Sequence, residues 1–274
     1  MKFLLTAINA KFIHSNPAIY SLRAGAGEKL QPYVELAEFT INESLESILE
    51  GIWKRQPKVI GFSCYIWNWK LIREILTELP KILPDTEIWL GGPEVTYDGP
   101  GLLREFPQVT GIMVGEGEVT FREVLEQYLR EAETAGQSEQ QPESDSTEHQ
   151  VADRRGTVAG KSMVERFGQI PGLCLASGYT APRDLTDLTT LPFLYEDMEP
   201  FTNRIIYYET SRGCPYRCSY CLSSIDKKVR LRDISIVKRE LQFFLDQNVK
   251  QVKFIDRTFN CDHKHCLLYT SPSP

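Results

Sequence analysis

KVIGFSCYIWNWKLIREILTEL, residues 58–79, joins a short apolar run to a helical repeat. Residues 58–67 read as a buried strand. After them Ile72, Ile75, Leu76 and Leu79 recur on one face at helical spacing. A strand feeding directly into an amphipathic helix is half of a βαβ unit, and the same alternation appears on both sides. Upstream lie the apolar strand KFLLTAIN (2–9) and the helix NESLESILEGIWKRQ (42–56). That helix carries a stripe of Leu45, Ile48, Leu49, Ile52 and Trp53, with Asn42 as its N-cap. Downstream come TEIWLGG (86–92) and GIMVGEGE (111–118), strands ending in glycine turns. TFREVLEQYLREA (120–132) then follows, with Phe121, Val124, Leu125 and Tyr128 on one face. Strands alternating with helices predict an α/β fold, a doubly wound, flavodoxin-like parallel sheet with helices on both faces.

This first domain is expected over 1–130. From Glu131 the chain turns rich in Glu, Gln, Ser and Asp. Residues 131–168 read as a polar insertion too poor in apolar side chains to offset their chain entropy. A connector with a small hairpin is expected over 169–200. A second α/β region follows over 201–265: RIIYYETSRGC (204–214) is a strand entering a cysteine loop, DISIVKRELQFFLDQN (233–248) a helix, and VKQVKFIDRTFN (249–260) a strand. The helix stripe is read as Ile236, Val237, Leu241, Phe244 and Leu245.

With 42% hydrophobic and 25% charged residues among 274, the chain can bury a sizeable core. A net charge of −6 argues against extensive non-specific nucleic-acid binding, while a local patch could still recognise a folded RNA or protein. No apolar run approaches the roughly 18 residues of a membrane span, and KFLLTAIN is too short for the core of a signal peptide. A cytoplasmic protein is expected. Seven cysteines, an odd number with three in one cluster, read as metal or redox chemistry rather than a disulfide framework.

The cluster is Cys214-x3-Cys218-x2-Cys221, placed just after a strand. Three thiolates on a short loop suit three corners of a [4Fe-4S] cluster and leave a fourth iron open. A zinc site is the rival, with Cys261, His263, His265 or Cys266 as fourth ligand, although the paired C-x2-C spacing usual for zinc is absent. Three strand-end turns of the first domain, GFSCYIWN, LGGPEV and VGEGEV, fall on the carboxyl edge, where ligands bind in such sheets. Gly91 and Gly92 would let backbone approach a large flat ligand, or simply make a turn. Glu116 and Glu118 suit the first turn of the helix that follows.

The SRGCPYRCSYC stretch (211–221) resembles the radical S-adenosylmethionine (SAM) superfamily, whose signature is C-x3-C-x2-C with an aromatic residue, here Tyr220, before the last cysteine. LGGPEVT and GEGE look like the cobalamin (B12)-binding domain that precedes the catalytic core in one subgroup. The resemblance implies that Cys214, Cys218 and Cys221 hold a [4Fe-4S] cluster and that the open iron chelates SAM. Tyr220 would back the adenine, Asp256 and Asn260 bind the SAM amino group, and Arg257 bind its carboxylate. Cobalamin would sit against Ser63, Gly91, Gly92, Pro93, Glu94, Gly115, Glu116 and Gly117, with Tyr65, Trp67 and Trp69 nearby. The pattern departs from the Asp-x-His-x-x-Gly of well-known cobalamin domains. His14 is present, but Phe12 and Pro17 stand at the Asp and Gly positions.

The implied second region is the start of a partial (β/α) radical SAM barrel. The closing CLLYTSPSP (266–274) departs from the resemblance and reads as a non-native tail on a truncated chain that would be inactive alone. The implied reaction is SAM cleavage driving radical methyl transfer to an unknown substrate, with an external electron donor. Without cobalamin, a ring rearrangement or methylthiolation is implied. A zinc-stabilised binding protein and a cluster or cobalamin sensor are the alternatives.

Overall fold

The computed structural model describes residues 2–138, 162–221, 228–259 and 261–270. In chain order the elements are β1 (Phe3–Asn9), α1 (Pro17–Gly25), β2 (Val34–Thr40), α2 (Leu45–Trp53), β3 (Val59–Ser63) and α3 (Trp69–Ile82). Next are β4 (Glu87–Gly91), α4 (Gly99–Glu105), β5 (Val109–Met113), α5 (Gly117–Ser138), α6 (Met163–Phe167), β6 (Leu173–Leu175) and β7 (Gly178–Tyr179). The rest are β8 (Ile206–Tyr208), β9 (Ser211–Arg212), β10 (Arg230–Leu231), α7 (Ile234–Asp246), β11 (Val252–Phe254) and α8 (His263–Thr270). Two compact units result: Met1–Phe12 with Ala18–Asp184, and Ile13–Pro17 with Leu185–Pro274.

In the first unit one sheet runs in the order β2-β1-β3-β4-β5-β6-β7. The first five strands are parallel and carry the flavodoxin-like order 2-1-3-4-5. β6 and β7 extend the sheet in antiparallel sense. All seven residues of β1 are buried, as a central strand covered on both faces requires. Its alternation sends Leu4 and Ile8 into one apolar layer with Ile48, Ile52, Ile72, Ile75, Leu76 and Leu79 of α2 and α3. Phe3, Leu5 and Ala7 enter the other layer with Ile19 of α1, Phe121, Val124 and Leu125 of α5, and Phe167 of α6.

Several local expectations change. The N-cap of α2 is Ser44, whose Oγ accepts from Ser47 N at 3.2 Å, rather than Asn42. Trp53, placed in the buried stripe, is half exposed. α3 continues past Leu79 through Pro80. Pro80 has no N–H for the carbonyl four residues back, and Gln108 Nε2 donates to that Leu76 oxygen at 2.7 Å instead.

Helix α5 runs to Ser138, beyond Glu131, where the polar insertion was expected to begin. On the far side α6 is held firmly. Its Arg166, 4% exposed, pairs with Glu87 at 3.0 Å and Glu131 at 2.9 Å and lies over the Tyr128 and Phe167 rings. Tyr128 links this group to Trp89, accepting from its indole at 2.8 Å and donating to Glu87 at 2.6 Å. The rest of the insertion, 139–161, lies outside the described residues.

In the second unit β8 and β11 pair in parallel, with Tyr208 opposite Phe254, and β9 pairs antiparallel with β10. α7 is capped by Asp233, which accepts from Ser235 N at 2.8 Å and Ile236 N at 3.3 Å. It buries Val237, Glu240 and Phe244, while Leu245 of the expected stripe is 70% exposed. Phe193, Tyr195, Phe201, Tyr208, Phe243, Phe244 and Phe254 pack edge-on around it. α8 covers His263–Thr270 and so includes the start of the stretch read as a tail, while 271–274 lie outside the described residues.

Candidate functional sites

The cysteine loop begins where β8 ends. The parallel partner β11 brings its own carboxyl end alongside, so that residues 255–259 meet residues 209–214. Asp256 makes the join. Its Oδ1 accepts from Thr210 N at 2.8 Å, Ser211 N at 2.5 Å and Ser211 Oγ at 3.1 Å, and its Oδ2 accepts from Thr210 Oγ1 at 2.7 Å. Four donors converge on this one carboxylate, three of them on Oδ1. Thr210 and Ser211 are 3% and 4% exposed, so the bonded backbone has no access to water as a substitute. Asp256, read from sequence as a SAM contact, is thus engaged in holding the loop.

Gly213 then turns the chain at φ +92°, with Lys228 O 2.4 Å from where a Cβ would sit. Cys214 follows and lies 3.1 Å from Thr258 Oγ1. The loop closes with Cys221 N donating to Cys218 O at 3.1 Å. Cys214 and Cys218 are partly buried, Cys221 is exposed, and none of the three is in a disulfide. Tyr220 projects almost wholly into solvent, at 91% exposure, and Arg257 is also exposed. Asn260 lies outside the described residues.

Among the described residues no three His, Cys, Asp or Glu side chains gather closely enough to hold a single metal ion. An iron–sulfur cluster does not ask for this, because each thiolate takes its own iron. Three soft donors on one short loop fit that demand. Cys261, a candidate for the zinc alternative, is exposed.

The second set of predicted residues lies in the first unit, on the carboxyl edge of β3, β4 and β5. Ser63 ends β3, Gly91 ends β4, and Gly117 opens α5. Gly92 has φ +111°, and a Cβ there would lie 2.4 Å from Cys64 O, so the neighbouring backbone already accounts for this glycine. Gly91 has only ordinary contacts, with Met113 at 3.8 Å. Gly115, at φ +81°, faces open space. Pro93 is exposed, and Glu94 and Glu116 are half-buried. Glu118 in the first turn of α5 accepts from Ser21 Oγ at 2.9 Å.

The three aromatic residues divide. Trp69 packs on the core edge-on to Phe106, whereas Tyr65 and Trp67 stack on each other at 4.4 Å beside Ile66, which is 80% exposed. Asn68, missed from sequence, is fully buried beneath them. Its Nδ2 donates to Ile8 O at 3.0 Å and Ser63 O at 2.9 Å, and its Oδ1 accepts from Tyr65 N at 2.8 Å. It ties the ends of β1 and β3, the point where strand order reverses. A polar residue opening an amphipathic helix was the one available signal.

His14 belongs to the second unit. Its Nδ1 lies 2.5 Å from the Tyr207 hydroxyl, and its backbone bridges Ile205.

Residues 4–125 match the B12 binding domain family. The chain is 27% identical over 248 residues to the 2-(S-pantetheinyl)-carbapenam-3-carboxylate methyltransferase of Streptantibioticus cattleyicolor, covering 86% of this chain and 32% of the relative. It is 26% identical over 223 residues to the cobalamin-dependent radical SAM methyltransferase TokK of Streptomyces tokunonensis, covering 74% of this chain and 28% of that one. Among solved structures, the cobalamin-dependent SAM radical enzyme OxsB, with aqua-cobalamin and SAM bound, superposes with a TM-score of 0.63. The match has 17% identity and covers 93% of this chain and 34% of that chain. The chain spans about a third of the length of these relatives. The domain match and the relatives bear out the resemblance to the radical SAM subgroup with an N-terminal B12-binding domain.

Proposed function

With a B12-binding-type domain at residues 4–125 and homology to cobalamin-dependent radical SAM methyltransferases, we propose that this chain contributes the cobalamin domain and the cluster loop of a radical methyltransferase. The observation that carries the reading is the cysteine loop itself: three cysteines outside any disulfide within eight residues, turned by Gly213 and anchored by Asp256 from the neighbouring parallel strand. Cys214, Cys218 and Cys221 hold the [4Fe-4S] cluster. Tyr220 offers an aromatic face to the adenine of SAM, and Arg257 and Asn260 meet its polar groups. Asp256 acts as the anchor of the loop.

On the first unit, the Tyr65–Trp67 stack and Gly115 offer a flat, open stretch of the carboxyl edge to a corrin ring, along with Gly91, Gly92, Pro93, Glu94, Glu116 and Gly117. His14 is already engaged with Tyr207 and is not assigned as a cobalt ligand. When bound, the cluster and SAM supply radical initiation and cobalamin supplies a transferable methyl group. An external donor supplies the electron.

Anaerobic reconstitution of the chain with iron and sulfide tests the reading. Uptake of about four irons per chain, lost in Cys218→Ala, is expected. Stoichiometric zinc with no iron uptake would overturn it in favour of a zinc-stabilised binding protein. Hydroxocobalamin should co-elute with the chain on gel filtration, and Trp67→Ala should weaken that retention about fivefold, for the loss of ~1 kcal/mol of aromatic contact.

A further inference from the structure

Two residues of the loop after β11 touch the cysteine loop. Asp256 fixes its start, and two residues later Thr258 Oγ1 comes to 3.1 Å from Cys214 Sγ. The parallel register, Tyr208 beside Phe254, places both contacts at adjacent strand ends, and Gly213 turns Cys214 back toward Thr258. With a free thiol, either atom can donate. A thiolate that ligates iron has no proton, so the hydroxyl is then the only donor. Donation to a ligand sulfur draws off its negative charge. It stabilises the reduced cluster, which carries the extra electron, more than the oxidised one, and so raises the reduction potential.

We propose that Thr258 is a positioning residue that sets the potential of the cluster by donating its hydroxyl to the Cys214 sulfur. This rests on the cluster reading given under Proposed function. Thr258→Val keeps the branched shape and removes the donor, and Thr258→Ser keeps the donor. The parent chain and both variants are reconstituted with iron and sulfide, assayed for iron per chain, and titrated anaerobically with the reduced cluster followed by EPR. Equal iron loading is expected, with a midpoint potential lowered in Thr258→Val and restored to the parent value in Thr258→Ser. A role in folding alone would lower thermal stability or iron loading and leave the potential of the loaded fraction unmoved.

A Val variant that loads fully and titrates at the parent potential overturns the inference while the cluster reading stands. A parent chain that takes up no iron overturns the cluster reading and this inference with it. Should Val alone fail to load, Thr258→Ala is titrated in its place, and an unshifted midpoint there is equally decisive against the proposal.

Discussion

A Cβ at Gly92 would sit 2.4 Å from the carbonyl oxygen of Cys64, and the backbone there has φ +111°. Strain and clash act together, so Gly92→Ala should lower stability by about 2 kcal/mol or more. Gly91→Ala, with no contact closer than 3.8 Å, should stay within about 1 kcal/mol of the parent. Urea midpoints of the two variants check this contrast between adjacent glycines. The cysteines divide on similar grounds. Cys64 is fully buried, and burial pushes its thiol pKa up, whereas Cys221 is exposed. In the reduced, cluster-free chain, a thiol reagent at pH 8 should modify Cys221 promptly and leave Cys64 unmodified until the chain is denatured, as peptide mass mapping would show. Asp256→Ala removes the acceptor for four donors around Thr210 and Ser211. Each buried donor left unsatisfied costs about 1–3 kcal/mol. The loop should therefore lose its shape, and the variant should retain less than half the iron of the parent after desalting.

Among the elements, α7 shows where pattern reading stops. Its buried positions include Glu240, which no apolar stripe would select. The explanation lies outside the helix. Arg232 Nη2 donates to Glu240 Oε1 at 2.6 Å and its Nε to Oε2 at 3.1 Å, while Tyr208 Oη donates to Oε2 at 2.5 Å. Arg232 also donates to the carbonyls of Leu188 at 2.6 Å and Leu191 at 2.9 Å, fastening the segment that precedes β8. Arg232→Met leaves a carboxylate buried without its partner and should cost about 3–5 kcal/mol, read as an earlier unfolding of the second unit in urea. The long stripes were legible: Ile72, Ile75, Leu76 and Leu79 of α3, and Phe121, Val124, Leu125 and Tyr128 of α5, are all buried. β2, α1 and α4 were missed, as was α6, which lies within 131–168, the stretch read as a disordered polar insertion. Val34–Thr40 mixes charged residues with apolar ones, as a strand at a sheet edge can, and α4 has seven residues with Gly at two of its first three positions. Asn68 was missed, and the loop-holding role of Asp256 was not read although the residue was named, because each bonds to backbone far along the chain, 60 and 46 residues away.

At the scale of the whole molecule, the flavodoxin-like order of the first sheet and the β8–loop–α7–β11 arrangement of the second unit are the fold read from the alternation of strands and helices. No described helix is long and apolar enough to cross a membrane. The B12-binding match covers residues 4–125, and the cysteine loop lies wholly beyond it, so the two parts of the proposal rest on separate observations. The central claim is that three thiolates leave one iron open to SAM. The most direct measurement is the EPR spectrum of the reduced, reconstituted chain recorded with and without SAM. A change in g-values on adding SAM is the predicted result, and an identical spectrum in the presence of saturating SAM would contradict the claim.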